Sequence, residues 1–114
     1  MGRGVGVRAE KPMPEYIYLI HPIRHGFFDV PTAEEDVVME EHFQYLQKAS
    51  KEGTVMLAGP CTDETFGLVV FRAENEQAAR SFMSNDPFVK ANVMIAELHP
   101  FRASLVGKPI TDPR

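Results

Sequence analysis

The feature of the sequence that most constrains its fold is the order of its short apolar segments. Residues 16–21, 54–58, 67–72 and 93–101 are rich in aromatic and β-branched residues and are bounded by Pro, Gly or polar turns. Such segments are typical of β-strands. The gaps after the first and third strands are long enough for a helix, whereas the gap after the second strand holds only a loop.

The first helix is predicted by its start and stop signals. Thr32 and Glu35 have the spacing of a capping box, in which each residue bonds to the backbone of the other. The helix is predicted to run through Lys48, with Lys51 close to its negative end. Gly53 then supplies a residue that tolerates the left-handed conformation in which many helices stop.

The second helix is predicted to begin after Asn75 and to end by Asp86, because Pro87 restricts the backbone of the residue before it. Asp86 and Pro87 then have the form of a cap followed by proline at the start of one short extra turn. The resulting order, βαββαβ, predicts an α+β ferredoxin-like fold. In that fold two helices cover one face of a four-stranded antiparallel sheet.

The strands carry too many apolar residues for a sheet with one face in water. Residues 17–20, 68–71 and 93–96 are apolar at consecutive positions, whereas a half-exposed strand alternates apolar and polar side chains. Two helices cover only one face. We therefore expect a second copy of the chain to cover the other face in a two-fold homodimer.

Length and composition predict one domain. The chain has 114 residues, of which 44% are hydrophobic and 25% charged, as in ordinary globular proteins. We expect a domain at residues 15–102, a flexible arm at 1–14 and a tail at 103–114. The single cysteine, Cys61, excludes an intrachain disulfide and favours a reducing compartment.

Charge and hydropathy limit the partners. The formal net charge is −4 and the basic residues form no cluster, so we expect no nucleic-acid partner. No apolar run approaches the ~20 residues of a membrane helix, and no apolar segment follows the early cations of residues 1–14. The expected location is the cytoplasm, and the expected partner is a small molecule.

Four stretches of the sequence resemble the YCII-related (YciI-like) family of the dimeric α/β-barrel superfamily. They are YIYLIHP at 16–22, HFQYLQKASKEGTVMLAGP at 42–60, GLVVFRAENEQAARSFMSNDPFVKANV at 67–93 and ELHPFR at 97–102. The resemblance implies a ferredoxin-like protomer that dimerises through its sheet and carries a His–Asp active site, at His42 and Asp86. It also implies kinship with muconolactone isomerase and with a dehydrochlorinase that acts on a chlorinated hydroxyquinol.

His42 is the residue that the helical pattern does not explain. It shares an otherwise apolar stripe with Val38, Tyr45, Leu46 and Ala49, which predicts that its ring faces the core. A half-buried histidine is usually structural, and an Asp before Pro is usually a helix cap. The predicted topology, however, brings Asp86 to the side of the first helix, where a carboxylate would orient the imidazole as a general base.

Three residues at the end of the first strand, His21, Arg24 and His25, are candidates for substrate binding at the pocket mouth. The two histidines have no helical spacing that would make them metal ligands, so we expect no metal. We expect no cofactor either, and nothing in the sequence predicts a depressed pKa that would make Cys61 a nucleophile.

The sequence leaves three functions open. The first is lyase or isomerase chemistry on a small cyclic or aromatic metabolite, with His42 and Asp86 as the acid–base pair. The second is a non-catalytic ligand-binding or accessory homodimer, in which the same pair is a structural hydrogen bond. The third is a cofactor-independent oxygenase of related barrel architecture, which oxygen uptake with a quinol would reveal.

Overall fold

The computed structural model describes residues 13–108 of the chain. In order, its elements are β1 (Glu15–Pro22), α1 (Ala33–Lys51), β2 (Val55–Pro60), β3 (Gly67–Arg72), α2 (Glu76–Ser84), α3 (Pro87–Lys90) and β4 (Met94–Phe101). The predicted arm at 1–14 and tail at 103–114 lie largely outside the described residues. All strand pairs are antiparallel and the sheet order is β2-β3-β1-β4. The predicted α+β ferredoxin-like fold is confirmed.

The first helix begins as its sequence predicts and extends one turn further. Thr32 Oγ1 accepts from the backbone N–H of Glu35 at 3.0 Å, and the Glu35 carboxylate accepts from the Thr32 N–H at 2.9 Å. The helix continues to Lys51 because nothing in residues 49–51 opposes helical geometry, and it ends before Gly53, whose φ is +86°.

The second helical region is divided in two by the Asn85-Asp86-Pro87 sequence. Asn75 caps α2, and Asp86 caps the single turn of α3 with Pro87 in its first position. This break lets the chain turn at Asp86, so that the aspartate side chain and Phe88 both enter the core beneath α1.

The core lies between the helices and one face of the sheet. Alternate residues of the central strands point into it, including Tyr16, Tyr18 and Ile20 of β1. They pack against residues of the helices and of the loop after β1, namely Ala49, Ala79, Met83, Phe88 and Phe27. The core therefore places a hydroxyl-bearing side chain, Tyr18, directly beneath the helices.

The opposite face of the sheet carries apolar side chains that no element of residues 13–108 covers. Leu57 of β2 and Ile95 of β4 are each 60% exposed there, and Phe101 is also exposed. Ile17 and Leu19 of β1 lie between them. The predicted second apolar face is thus present in the protomer.

The longest helix in the described part of the chain is α1. None of the helices within residues 13–108 has the length and apolarity needed to cross a bilayer.

Candidate active site

A cleft of about 540 Å³ lies between α1 and the β2–β3 side of the sheet. Its walls are mainly apolar, with Phe27, Phe28, Phe43 and Phe88 contributing aromatic rings and Leu46 an aliphatic side chain. Ligand pockets commonly combine such walls with a few polar groups. Of the polar residues that line this cleft, His42 is the least exposed.

His42 and Asp86 are in direct contact, although 44 residues separate them in sequence. The His42 Nδ1 atom lies 2.7 Å from Asp86 Oδ1, with the His42 side chain 15% exposed and that of Asp86 0% exposed. A carboxylate only accepts hydrogen bonds, so the Nδ1 atom carries the proton of this bond. The neutral ring then has its lone pair on Nε2.

Asp86 is held by two further donors. Its Oδ1 atom also accepts from the backbone N–H of Phe88 at 2.9 Å, and its Oδ2 atom accepts from the Tyr18 hydroxyl at 2.6 Å. Asp86 is therefore both the cap of α3 and the centre of a buried hydrogen-bond network. Three donors on two oxygens fix the carboxylate, as buried polar groups require.

The tyrosines near Asp86 respond to its charge and to burial. Burial, followed by the charge of Asp86 and its hydrogen bond, raises the pKa of Tyr18 far above its ordinary value. Burial and then the same carboxylate raise the pKa of Tyr45 to about 12. Both hydroxyls therefore stay protonated at neutral pH and act as donors, Tyr45 to the backbone carbonyl of Phe82 at 2.7 Å.

The ring of Phe88 packs against one face of the His42 imidazole and so helps to fix its orientation. The two ring centroids are 4.2 Å apart and the planes are tilted by 30°. Phe88 comes two residues after Asp86. The α3 turn therefore supplies both the carboxylate that bonds to His42 and the aromatic ring that packs against the imidazole. A single break in the helical region thus positions both contacts.

The structure places Arg24 in a network with the start of α1. Its guanidinium donates to both carboxylate oxygens of Glu35, at 2.8 and 2.7 Å, and to the backbone carbonyl of Val30 at 2.7 Å. The hydrogen bonds from Arg24, and next that from the Thr32 backbone, lower the pKa of Glu35 to about 2. Arg24 thereby ties the loop after β1 to the helix that carries His42.

The other two predicted substrate-binding residues lie outside the His42 cleft but next to residues that line it. His25 borders a separate, more polar hollow of about 370 Å³ formed by the loop after β1, together with Arg24. His21 lies on the open face of the sheet, with Nε2 4.0 Å from a Glu97 oxygen. None of the three lines the His42 cleft. Their role in substrate binding stays a prediction.

No group of three His, Cys, Asp or Glu side chains within residues 13–108 is arranged to hold a metal ion. Cys61, at the end of β2, is partly buried and unpaired in that range. Among the described side chains that line the cleft, His42 can transfer a proton and form hydrogen bonds.

Tyr18 contacts Asp86, and Phe88 contacts His42. The sequence did not predict either of them as a site residue. A signal for Tyr18 exists, since it alternates with Tyr16 on the inward face of a central strand, and a buried hydroxyl needs an acceptor. The sequence does not identify that acceptor, because the choice of Asp86 depends on how the α3 turn packs over β1. Phe88 looks like any core aromatic.

Comparisons with known proteins agree with this architecture. The chain is similar in structure to a 5-chloro-2-hydroxyhydroquinone dehydrochlorinase from Burkholderia phenoliruptrix AC1100, solved in complex with 2,5-dihydroxybenzoquinone. The TM-score is 0.58 at 20% sequence identity, over 76% of this chain and 93% of that one. No curated protein matches the chain. The sequence model of the YCII-related domain matches residues 16–102, and the chain therefore belongs to the YCII-related domain family.

Proposed function

We propose that this protein is an enzyme that moves protons on a small cyclic or aromatic molecule, with His42 as the general base. The observation that carries the proposal is the 2.7 Å contact between His42 Nδ1 and the fully buried carboxylate of Asp86, at the wall of an apolar cleft. A buried carboxylate that serves only as a helix cap would not need an imidazole as its third donor.

The tautomer that Asp86 imposes suits a base. With the proton on Nδ1, the lone pair of Nε2 is free, and within residues 13–108 Nε2 has no hydrogen-bond partner. When Nε2 accepts a proton, the imidazolium forms beside a carboxylate that stabilises it. The apolar walls reduce the competition of water for the same lone pair.

The proposed reaction class is elimination or isomerisation. His42 Nε2 removes a proton from an acidic O–H or C–H of the ring, and the electron pair left behind forms a new π bond. In an elimination the leaving group departs with its bonding electrons, and the imidazolium returns its proton to water. In an isomerisation the proton goes back to a different carbon of the same molecule.

The structural relative supports this reaction class. That protein is a dehydrochlorinase of a chlorinated hydroxyhydroquinone, and its bound ligand is a dihydroxybenzoquinone. Loss of HCl from such a ring is an elimination of the kind written above. The relative supports the proposal through its fold and its type of reaction. A hydroxylated ring is therefore the first substrate to test.

We also propose that the protein is a homodimer that packs through the open face of its sheet. Leu57 and Ile95 present exposed apolar surface there, on opposite edges of the sheet. Exposed apolar patches of this kind mark interaction sites, and a two-fold interface uses the same patch twice. The His42 cleft lies on the helix side of the sheet, so dimerisation leaves that side free.

The experiment has two readouts on the full chain. One is chloride release from 5-chloro-2-hydroxyhydroquinone, and the other is deuterium incorporation, by NMR in D₂O, into a panel of hydroxylated single-ring compounds. The wild-type protein should accelerate at least one of them. His42→Ala should lower that rate by about 10²–10⁴, the usual contribution of a general base.

The control is Gln44→Ala on the same helix, because Gln44 is exposed and, within residues 13–108, its side chain bonds only to Glu40. This variant should keep the wild-type rate. A His42→Ala variant that retains full turnover would remove His42 from the chemistry. A wild-type protein that accelerates none of the compounds, yet binds them in the cleft, would instead favour a non-catalytic binding protein.

A further inference from the structure

The polar side chains of the cleft all come from α1 and lie along its length. His42 is the first of them along the helix, Gln47 and Ser50 follow, and Lys51 is the last. Lys51 comes nine positions after His42, which corresponds to ~13 Å along the helix axis and about half a turn around it. A molecule that touches both residues must therefore be longer than a single six-membered ring.

The only formally charged side chain type among the described lining residues of the cleft is positive. No Asp or Glu is among its described lining residues, and Lys51 contributes an amino group. Within residues 13–108 Lys51 forms no ion pair, whereas Lys48, one turn earlier, lies 3.8 Å from Glu52. In a chain of net charge −4, a cleft without carboxylates and with an unpaired lysine at one end favours an anion.

The space between the two ends is apolar. Phe43 and Leu46 face it from α1, and Ala58 and Val69 face it from the sheet side. The volume of about 540 Å³ lies in the ~300–1,000 Å³ range of pockets that enclose ligands of several rings or a long side chain. The body of the ligand should therefore be apolar.

We propose that the cleft binds an elongated, mainly apolar anion, with its carboxylate or other anionic group at Lys51 and its opposite end at His42. That the end at His42 is the reacting end rests on the proposed function, whereas the length, polarity and charge rest on the cleft itself. This substrate class adds a second, anionic part to the ring that reacts at His42, and Lys51 is the residue that determines specificity for the anionic group.

The test uses three probes of known structure in NMR titrations of the full chain. Biphenyl-4-carboxylate has the predicted length and charge, biphenyl-4-methanol has the length without the charge, and benzoate has the charge without the length. Biphenyl-4-carboxylate should shift the resonances of residues 42–51. Benzoate should bind at least about tenfold more weakly, since it lacks the second ring's apolar area.

Matched lysine variants separate the ion pair from general binding. Lys51→Gln should weaken biphenyl-4-carboxylate by about threefold to fivefold, the range of a partly exposed ion pair, and should leave biphenyl-4-methanol unchanged. Lys48→Gln, on the neighbouring turn and outside the cleft, should affect neither probe. The amide spectrum of each variant reports whether its fold is intact.

Three outcomes would overturn the proposal. They are absence of binding by every probe, equal affinity of the wild type for the carboxylate and the alcohol, and a Lys51→Gln variant that binds both as the wild type does. Failure of the proposed function gives a different pattern. The probes and variants then bind as expected, while no compound of this class exchanges protons or eliminates a leaving group.

Discussion

Tyr18 and His42 bind opposite oxygens of one carboxylate. The Tyr18 hydroxyl donates to Asp86 Oδ2 at 2.6 Å, and His42 Nδ1 lies 2.7 Å from Asp86 Oδ1. One residue comes from the first strand, one from the first helix, and the carboxylate from the turn after the second helix. The position of Asp86 beside His42 therefore depends on Tyr18, a residue that does not line the cleft.

Tyr18→Phe should destabilise the protein by about 1–3 kcal/mol, the cost of leaving a buried charged acceptor short of a donor. The phenyl ring keeps the contacts of Tyr18 with Phe71 and Phe82, so packing loss is small. Tyr45→Phe is the control, because its hydroxyl bonds to a backbone carbonyl in a half-buried place. Urea unfolding measures both. A smaller loss for Tyr18→Phe than for Tyr45→Phe would argue against the network.

Asp86→Ala should cost much more than the loss of a helix cap. Two caps of the same kind allow the comparison, since Asn75 caps α2 at an exposed position and Asp86 caps α3 at a buried one. Asn75→Ala should cost about 1 kcal/mol. Asp86→Ala should cost about 3–5 kcal/mol, because it also leaves Tyr18 and His42 without their buried acceptor. Equal losses in urea unfolding would mean that Asp86 is only a cap.

The Arg24–Glu35 pair should make stability depend on acid pH. The pKa of Glu35 is lowered from 4.5 to about 2 in the folded protein, so the folded state favours its ionised form. The resulting stabilisation is present above pH 4.5 and is lost as the pH falls from 4.5 to 2. The difference in unfolding free energy between the wild type and Glu35→Gln should therefore shrink over that range.

The partner variant Arg24→Gln provides the check. At pH 6 it should lower the unfolding free energy in the same direction as Glu35→Gln, since either change breaks the same two hydrogen bonds. Urea unfolding at pH 6 and pH 3 gives both comparisons. A wild-type advantage over Glu35→Gln that is as large at pH 3 as at pH 6 would contradict the lowered pKa.

The open face of the sheet should determine the oligomeric state. In light scattering at micromolar concentration the wild type should be a dimer and Ile95→Asp a monomer, because the substitution buries a charge in the proposed interface. Val37→Asp is the matched control, since Val37 on α1 is 59% exposed and Ile95 is 60% exposed. Circular dichroism verifies that both variants are folded. A monomeric wild type, or a dimeric Ile95→Asp, would contradict the sheet-face dimer.

Local signals in the sequence were sufficient for the fold. The capping box at Thr32 and Glu35 and the proline after Asp86 set where helices begin and turn, and each acts through neighbouring residues only. The topology makes a contact between His42 and Asp86 possible, because the second helix returns to the side of the first, and the resemblance to the YCII-related family points to these two residues.

The cleft and the loop after β1 could not be derived in the same way. The sequence predicts Arg24 and His25 at the pocket mouth, and the bonds of Arg24 to Glu35 hold that loop at the start of α1. Phe27 and Phe28 of the same loop line the His42 cleft. Which charged group an exposed arginine selects depends on the three-dimensional course of a loop without periodicity. Lys51 was read only as a favourable charge at a helix end, because its place in the cleft depends on the position of β2.

The most direct measurement of the central claim is the tautomer of His42. A long-range ¹H–¹⁵N NMR spectrum of the full chain, labelled in its histidine rings, distinguishes the nitrogen that carries the proton from the one with the lone pair. His25, exposed in the loop after β1, serves as the internal reference. We expect neutral His42 to carry its proton on Nδ1, facing Asp86, and to expose an unprotonated Nε2. A neutral ring protonated on Nε2 would contradict a base held by Asp86.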